Sequence, residues 1–107
     1  FYGDVLGLKE AGFVQMGDHT LTYYELPQGV RLELIDYEAK EEPKDIKETD
    51  TGTYRHFCLV AAQLDEVYSC RNKGVSIRKT PSYVDQLGCR TMLITDPNGV
   101  EIEIIQR

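Results

Sequence analysis

Glu33, His56 and Glu103 are the residues of this sequence best suited to chemistry. One imidazole and two carboxylates make a borderline-hard nitrogen and oxygen donor set, suited to Zn²⁺, Fe²⁺, Mn²⁺, Ni²⁺ or Co²⁺. Three protein ligands leave positions open for water or substrate, as metal catalysis requires. Both glutamates sit in the middle of apolar segments, Val30-Arg31-Leu32-Glu33-Leu34-Ile35 and Val100-Glu101-Ile102-Glu103-Ile104-Ile105. A carboxylate there is costly to bury unless something pairs with it, and a metal ion is one such partner.

The elements that carry these side chains follow from local pattern. Asp96-Pro97-Asn98-Gly99 reads as a tight turn, because Pro97 presets φ and Asn98-Gly99 tolerate positive φ. After it the side chains alternate, with Glu101, Glu103 and Ile105 on one strand face and Val100, Ile102 and Ile104 on the other. Gly29 to Ile35 repeats this pattern position by position at an offset of 70, which makes Glu33 the counterpart of Glu103. A second echo links Lys9-Glu10-Ala11-Gly12-Phe13-Val14 with Arg71-Asn72-Lys73-Gly74-Val75-Ser76. Two echoes in the same order indicate two copies of one supersecondary unit. Arg31 and Glu101 flank the two glutamates and are read as charges that can pair with each other.

The second copy reads as βαβββ: a strand Tyr54–Ala62, a helix Asp65–Lys73 with Asp65 as N-cap and Gly74 as C′ residue, a strand Val75–Arg78, a loop Thr80–Gly88, a strand Cys89–Thr95 and the closing strand. The first copy reads as a helix over Phe1–Leu8, with Phe1, Val5 and Leu6 facing the core, then strands Gly12–Met16, Leu21–Leu26 and Val30–Tyr37. Its opening strand is expected to precede Phe1. Between the copies, residues 38–53 are charged and poorly apolar, with Pro43 and Gly52, and read as a linker. In a curled βαβββ sheet the first and fourth strands lie side by side, so His56 and Glu103 are expected on one concave surface, joined by Glu33 from the other copy.

Size and charge narrow the function. The chain has 107 residues, 41% hydrophobic and 28% charged, and a formal net charge of −6. Such an acidic chain is a poor match for nucleic acid or an anionic membrane surface, both of which select basic patches. Cys58, Cys70 and Cys89 form neither a C-x-x-C pair nor an even framework, which points to free thiols and a cytoplasmic location. Cys58 shares a strand face with His56 and reads as pocket lining. Arg90 is a candidate for binding a substrate carboxylate or phosphate.

Three segments resemble the vicinal oxygen chelate superfamily, which groups glyoxalase, bleomycin-resistance and extradiol-dioxygenase proteins. Phe1-Tyr2-Gly3-Asp4-Val5-Leu6-Gly7-Leu8 is similar to its first-helix signature. Arg55-His56-Phe57-Cys58-Leu59-Val60 with Asp65-Glu66-Val67-Tyr68 is similar to its second-module opening, and Asp96-Pro97-Asn98-Gly99-Val100-Glu101-Ile102-Glu103 to its closing signature. The resemblance implies an α+β fold of two paired βαβββ modules forming a curled mixed sheet with a concave cup, the modules spanning 1–37 and 54–107 with the linker 38–53 between them. It implies one divalent metal ion (Zn, Ni, Co, Mn or Fe) on Glu33, His56 and Glu103, the remaining ligand being on the strand expected before Phe1. It further implies a small-molecule substrate and a homodimer. The activity implied is a glyoxalase-like lyase or isomerase whose substrate chelates the metal through two oxygens and passes through an enediolate-like state, with Glu33 or Glu103 shuttling the proton. A metal-free drug-binding protein of the bleomycin-resistance type and an extradiol-type dioxygenase are the alternatives.

Overall fold

The computed structural model describes residues 1–107, with backbone alone at residues 71 and 72. The chain is α+β and forms two compact units, Phe1–Glu42 and Pro43–Arg107. The first holds a three-stranded antiparallel meander of β1 (Lys9–Gln15), β2 (His19–Glu25) and β3 (Arg31–Tyr37). The second holds β4 (His56–Ala61), α1 (Leu64–Ser69), β5 (Ser76–Val84), β6 (Cys89–Thr95) and β7 (Glu101–Gln106), in a mixed sheet of order β4-β7-β6-β5. No helix among the described residues is long and apolar enough to cross a membrane.

The sheet of the second unit has one apolar face because its strands alternate. Phe57 and Leu59 of β4 lie opposite Ile102 and Ile104 of β7, and these in turn oppose Ile94 and Met92 of β6. Ile102, Ile94 and Met92 have no exposed surface, and neither has Leu64, the first residue of α1. The helix packs on β5, β6 and β7. Its start is tied to the sheet by the Leu64 backbone N–H, which donates to the Gln106 side chain at 3.0 Å.

The two closing hairpins are built alike, and the likeness extends the sequence repeat. In the first unit the Leu26 N–H donates to the Val30 carbonyl at 2.8 Å across Pro27-Gln28-Gly29; in the second, Asp96 N–H donates to the Val100 carbonyl at 2.9 Å across Pro97-Asn98-Gly99. Gly29 and Gly99 both take a positive φ, 77° and 82°, which only glycine adopts without strain. The pairs then run in step: Glu25 opposite Arg31 and Tyr23 opposite Glu33 in one hairpin, Thr95 opposite Glu101 and Leu93 opposite Glu103 in the other. Glu33 and Glu103 hold equivalent register positions in their own hairpins.

Asp96 locks the second hairpin. One oxygen of its buried carboxylate accepts from the Asn98 and Val100 backbone N–H groups at 2.9 and 2.8 Å. Asp96→Ala leaves both donors unsatisfied, at about 1–3 kcal/mol. Urea denaturation is expected to show that loss, and Asp96→Asn, which keeps an oxygen acceptor, is expected to recover most of it.

Several local expectations need correction. Phe1–Leu8 forms successive turns rather than a regular helix, closed by bonds such as Val5 N–H to Phe1 carbonyl and Gly7 N–H to Gly3 carbonyl. Gly7 enters the left-handed region at φ 69° and ends the run. The residue buried there is Tyr2, whose ring meets Phe1 and Tyr24, while Phe1, Val5 and Leu6 stay half-buried. The segment Thr80–Gly88 is not all loop, since β5 continues to Val84. Pro81 sits within it because β5 is an edge strand with shifted pairing between Lys79 and Ser82, where no ladder donor is needed. Gln63, not Asp65, is the N-cap residue, and it makes no side-chain cap bond. Asp65 lies in the first turn, where a carboxylate favours the helix dipole. Gly74 has the expected left-handed conformation, φ 85°.

Candidate functional site

The face of the second sheet opposite α1 is polar, and strand pairing explains why. β4 runs parallel to β7, setting His56 opposite Glu101 and Cys58 opposite Glu103, while β6 sets Thr95 and Leu93 against the same two glutamates. His56, Glu101 and Glu103 therefore share one face although they come from strands some 45 residues apart in the chain (His56 to Glu101). The Nε2 atom of His56 lies 3.5 Å from a Glu103 carboxylate oxygen, and its Nδ1 lies 3.1 Å from Oε1 of Glu101. The Glu101 side chain is only 12% exposed.

Sequence reasoning passed over Glu101, treating it as a flanking charge. The signal was present: Glu101 and Glu103 are two apart on one strand and must share a face. In the structure Glu101 stands beside the second imidazole nitrogen, the place where a carboxylate fixes tautomer and ring orientation. Despite the short approach, His56 Nδ1 and Glu101 Oε1 do not align as a hydrogen bond, and both atoms are buried without a hydrogen-bond partner. The Arg55 guanidinium approaches the same carboxylate oxygen at 3.9 Å and also donates to the Glu48 carbonyl.

The residues can be tested against a metal ion. In a tetrahedral site with bonds of about 2.0–2.2 Å, neighbouring donors stand roughly 3.3–3.6 Å apart. The 3.5 Å between His56 Nε2 and Glu103 matches one such edge. The unpartnered Nδ1 and Oε1 atoms behind it show a polar cluster whose hydrogen bonding is incomplete in the protein alone. This pair fits two ligand positions. No group of three His, Cys, Asp or Glu side chains placed to hold a metal ion occurs among the described residues.

Glu33 belongs to the first unit, where it faces Tyr23 across the β2–β3 pair. It accepts a hydrogen bond from the Tyr23 hydroxyl, which holds the phenol proton and raises its pKa above the ordinary tyrosine value, with desolvation and the Glu33 charge acting in the same direction. Glu33→Ala is expected to lower the Tyr23 pKa toward that ordinary value, a change read from the ultraviolet absorbance of the phenolate during alkaline titration; an unaltered titration would separate Glu33 from Tyr23.

Cys58 lies next along β4 from the cluster. Partial burial of its thiol pushes the pKa up, and the negative charge of Glu103 adds to this, although the residue as a whole is exposed. A thiol kept protonated is a poor nucleophile. Arg90 is engaged elsewhere: its guanidinium meets Asp65 at 3.2 and 3.4 Å. An open cleft of about 610 Å³ adjoins the cluster, with Glu101 in its wall.

The model of the Glyoxalase/Bleomycin resistance protein/Dioxygenase superfamily matches residues 1–104. Among solved structures, glyoxalase I from Zea mays superposes with a TM-score of 0.81 at 20% identity, covering 99% of this chain and 38% of the maize protein, so this chain spans well under half of that enzyme. A glyoxalase family protein from Enterococcus faecalis gives a TM-score of 0.75 at 17% identity, with coverage of 99% and 83%. The trypanothione-dependent glyoxalase I of Leishmania major gives 0.71 at 24% identity, with coverage of 99% and 73%. At these identities the likeness speaks for the fold. No curated protein matches the sequence significantly. With the family model spanning nearly its whole length, the chain belongs to the glyoxalase, bleomycin resistance protein and dioxygenase superfamily.

Proposed function

We propose that this protein is a metal-dependent, glyoxalase-like lyase or isomerase acting on a small carbonyl compound. The observation that carries the reading is the approach of His56 Nε2 to the Glu103 carboxylate, with Glu101 against the other ring nitrogen. His56 and Glu103 would hold the metal, and Glu33, the register equivalent of Glu103, is proposed as a further ligand. A bound divalent ion would polarise the substrate carbonyl through two oxygens and acidify the neighbouring C–H.

The protein's own residues have distinct tasks in this reading. Glu101 stands 3.1 Å from His56 Nδ1, with Nε2 toward Glu103. Glu103, or Glu33 as its equivalent, takes the proton from one substrate carbon and returns it to the next, the transfer such an isomerase requires. Cys58 and Leu93, which flank Glu103 in register, supply a less polar wall beside it. Free thiols at Cys58, Cys70 and Cys89 support a reducing, cytoplasmic setting, and a homodimer is proposed from the family resemblance.

Elemental analysis of protein purified without chelator or metal-affinity resin tests the proposal. About one divalent transition metal per chain supports it, and iron in place of zinc, nickel, cobalt or manganese would turn it toward dioxygenase chemistry. No bound metal after incubation with each of these ions would overturn it. That outcome would favour a metal-free small-molecule binder.

A further inference from the structure

The cleft beside Glu101 is lined by more cationic than anionic groups. It is bounded by the Pro43–Ile46 segment, by Tyr54 and Arg55 ahead of β4, by Ser76 and Arg78 of β5, and by the β6–β7 turn. Its volume of about 610 Å³ falls in the range of small-molecule sites. Pairing across the sheet aligns Ser76, Thr95, Glu101 and His56 in one row, so the cleft is continuous with the histidine cluster rather than separate from it.

Three cations, Lys44, Arg55 and Arg78, share this wall with two carboxylates, Asp45 and Glu101. Glu101 is already engaged, by Arg55 at 3.9 Å and His56 at 3.1 Å. Arg78 differs. It falls where the β5–β6 register shifts between Ile77 and Lys79, so it has no cross-strand partner, and it is exposed. A bulge of this kind re-aims a side chain. The ion pairs of the described arginines engage Arg55 and Arg90 and leave Arg78 without one. The backbone donors of the β6–β7 turn cannot serve a ligand, because Asn98 and Val100 N–H are spent on the Asp96 carboxylate and Gly99 N–H on its carbonyl. Recognition of a negative group therefore falls to side chains: the Arg78 fork, with Ser76 and Thr95 as hydroxyl donors beside it.

We infer that this cleft is a subsite for an oxyanion, a carboxylate or phosphate carried by the substrate, with Arg78 as its main cation. The inference deepens the proposed function and rests on it in one respect: it makes the substrate a small carbonyl compound with an anionic tail, the tail on Arg78 and the reacting end toward His56 and Glu103. A planar guanidinium suits either oxyanion, because it offers two parallel N–H donors.

The test is a ¹H–¹⁵N titration of the full chain with succinate and, separately, with inorganic phosphate, in the presence of chelator. Working without metal keeps this result independent of the metal reading. Saturable shifts of the Ser76, Thr95, Asn98 and Gly99 amides with either anion, weakened at least tenfold in Arg78→Gln, support the subsite, and the anion that binds more tightly identifies the tail. Shifts of equal affinity in Arg78→Gln, or shifts scattered over the surface or absent with both anions, would overturn it. Circular dichroism of the variant is expected to be unchanged, because the residue is exposed.

Discussion

His56→Ala is expected to abolish stoichiometric binding of a divalent metal while the fold survives. The imidazole is one-third exposed on the polar face of the sheet, so its removal opens no cavity in the core. What it removes is the one nitrogen donor of the cluster and the group to which both glutamates are directed. The expected fall in metal affinity is about 100-fold or more, larger than the roughly 10–100-fold that follows loss of an outer partner such as Glu101. Metal analysis after dialysis, paired with circular dichroism, checks both halves. A variant that keeps its metal would remove His56 from the site, and one that unfolds would make His56 a structural residue.

Ile102→Ala is expected to cost about 2–5 kcal/mol, the usual range for emptying a fully buried aliphatic position. Ile102 has no exposed surface, and it lies between Phe57 on β4 and Ile94 on β6. It thus joins the strand that carries His56 to the strand that carries both glutamates. Small domains have total stabilities of roughly 5–15 kcal/mol, so this one change takes a large share. Urea denaturation is expected to show a much lower midpoint, accompanied by weaker organisation of the polar face. A loss under about 1 kcal/mol would show that the cavity collapses and that β4 is held to β7 mainly by its backbone ladder.

The two expectations concern opposite faces of the same three strands. Strict alternation makes them inseparable: each residue that points into the core beneath α1 is followed by one that points to the polar face. A one-residue slip of β7 against β4 would bring the glutamates into the core and the isoleucines out. Burial of Ile102 and Ile104 therefore sets the register in which Glu101 and Glu103 meet His56.

Much of this was legible from local pattern. The strand Cys89–Thr95 has the bounds its pattern predicts, because an apolar run between a Gly88 turn and the Asp96-Pro97-Asn98-Gly99 turn leaves little freedom. The equivalence of Glu33 and Glu103 was legible because the repeat carries its turn with it, and both hairpins close by the same bond. Local pattern misled at β5, where Pro81 reads as a loop residue and only the edge position of the strand makes it tolerable. It misled again over Phe1–Leu8, where two glycines and an eight-residue length leave the turns short of a regular helix.

The sequence by itself determined most of the strands, their two faces, the turns and the positions of the candidate donors along them, since each of these follows from side-chain alternation and backbone preference over a few residues. It also determined family membership, through motifs spread along almost the whole chain. Only the tertiary structure decided that β4 lies parallel to β7 at the register pairing His56 with Glu101 and Cys58 with Glu103, that Arg90 is spent on Asp65, and that Arg78 stands in the cleft wall without an ion pair among the described residues. Those facts depend on contacts between residues tens of positions apart. They are set by which apolar side chains fill the space beneath α1, and no local period encodes that choice.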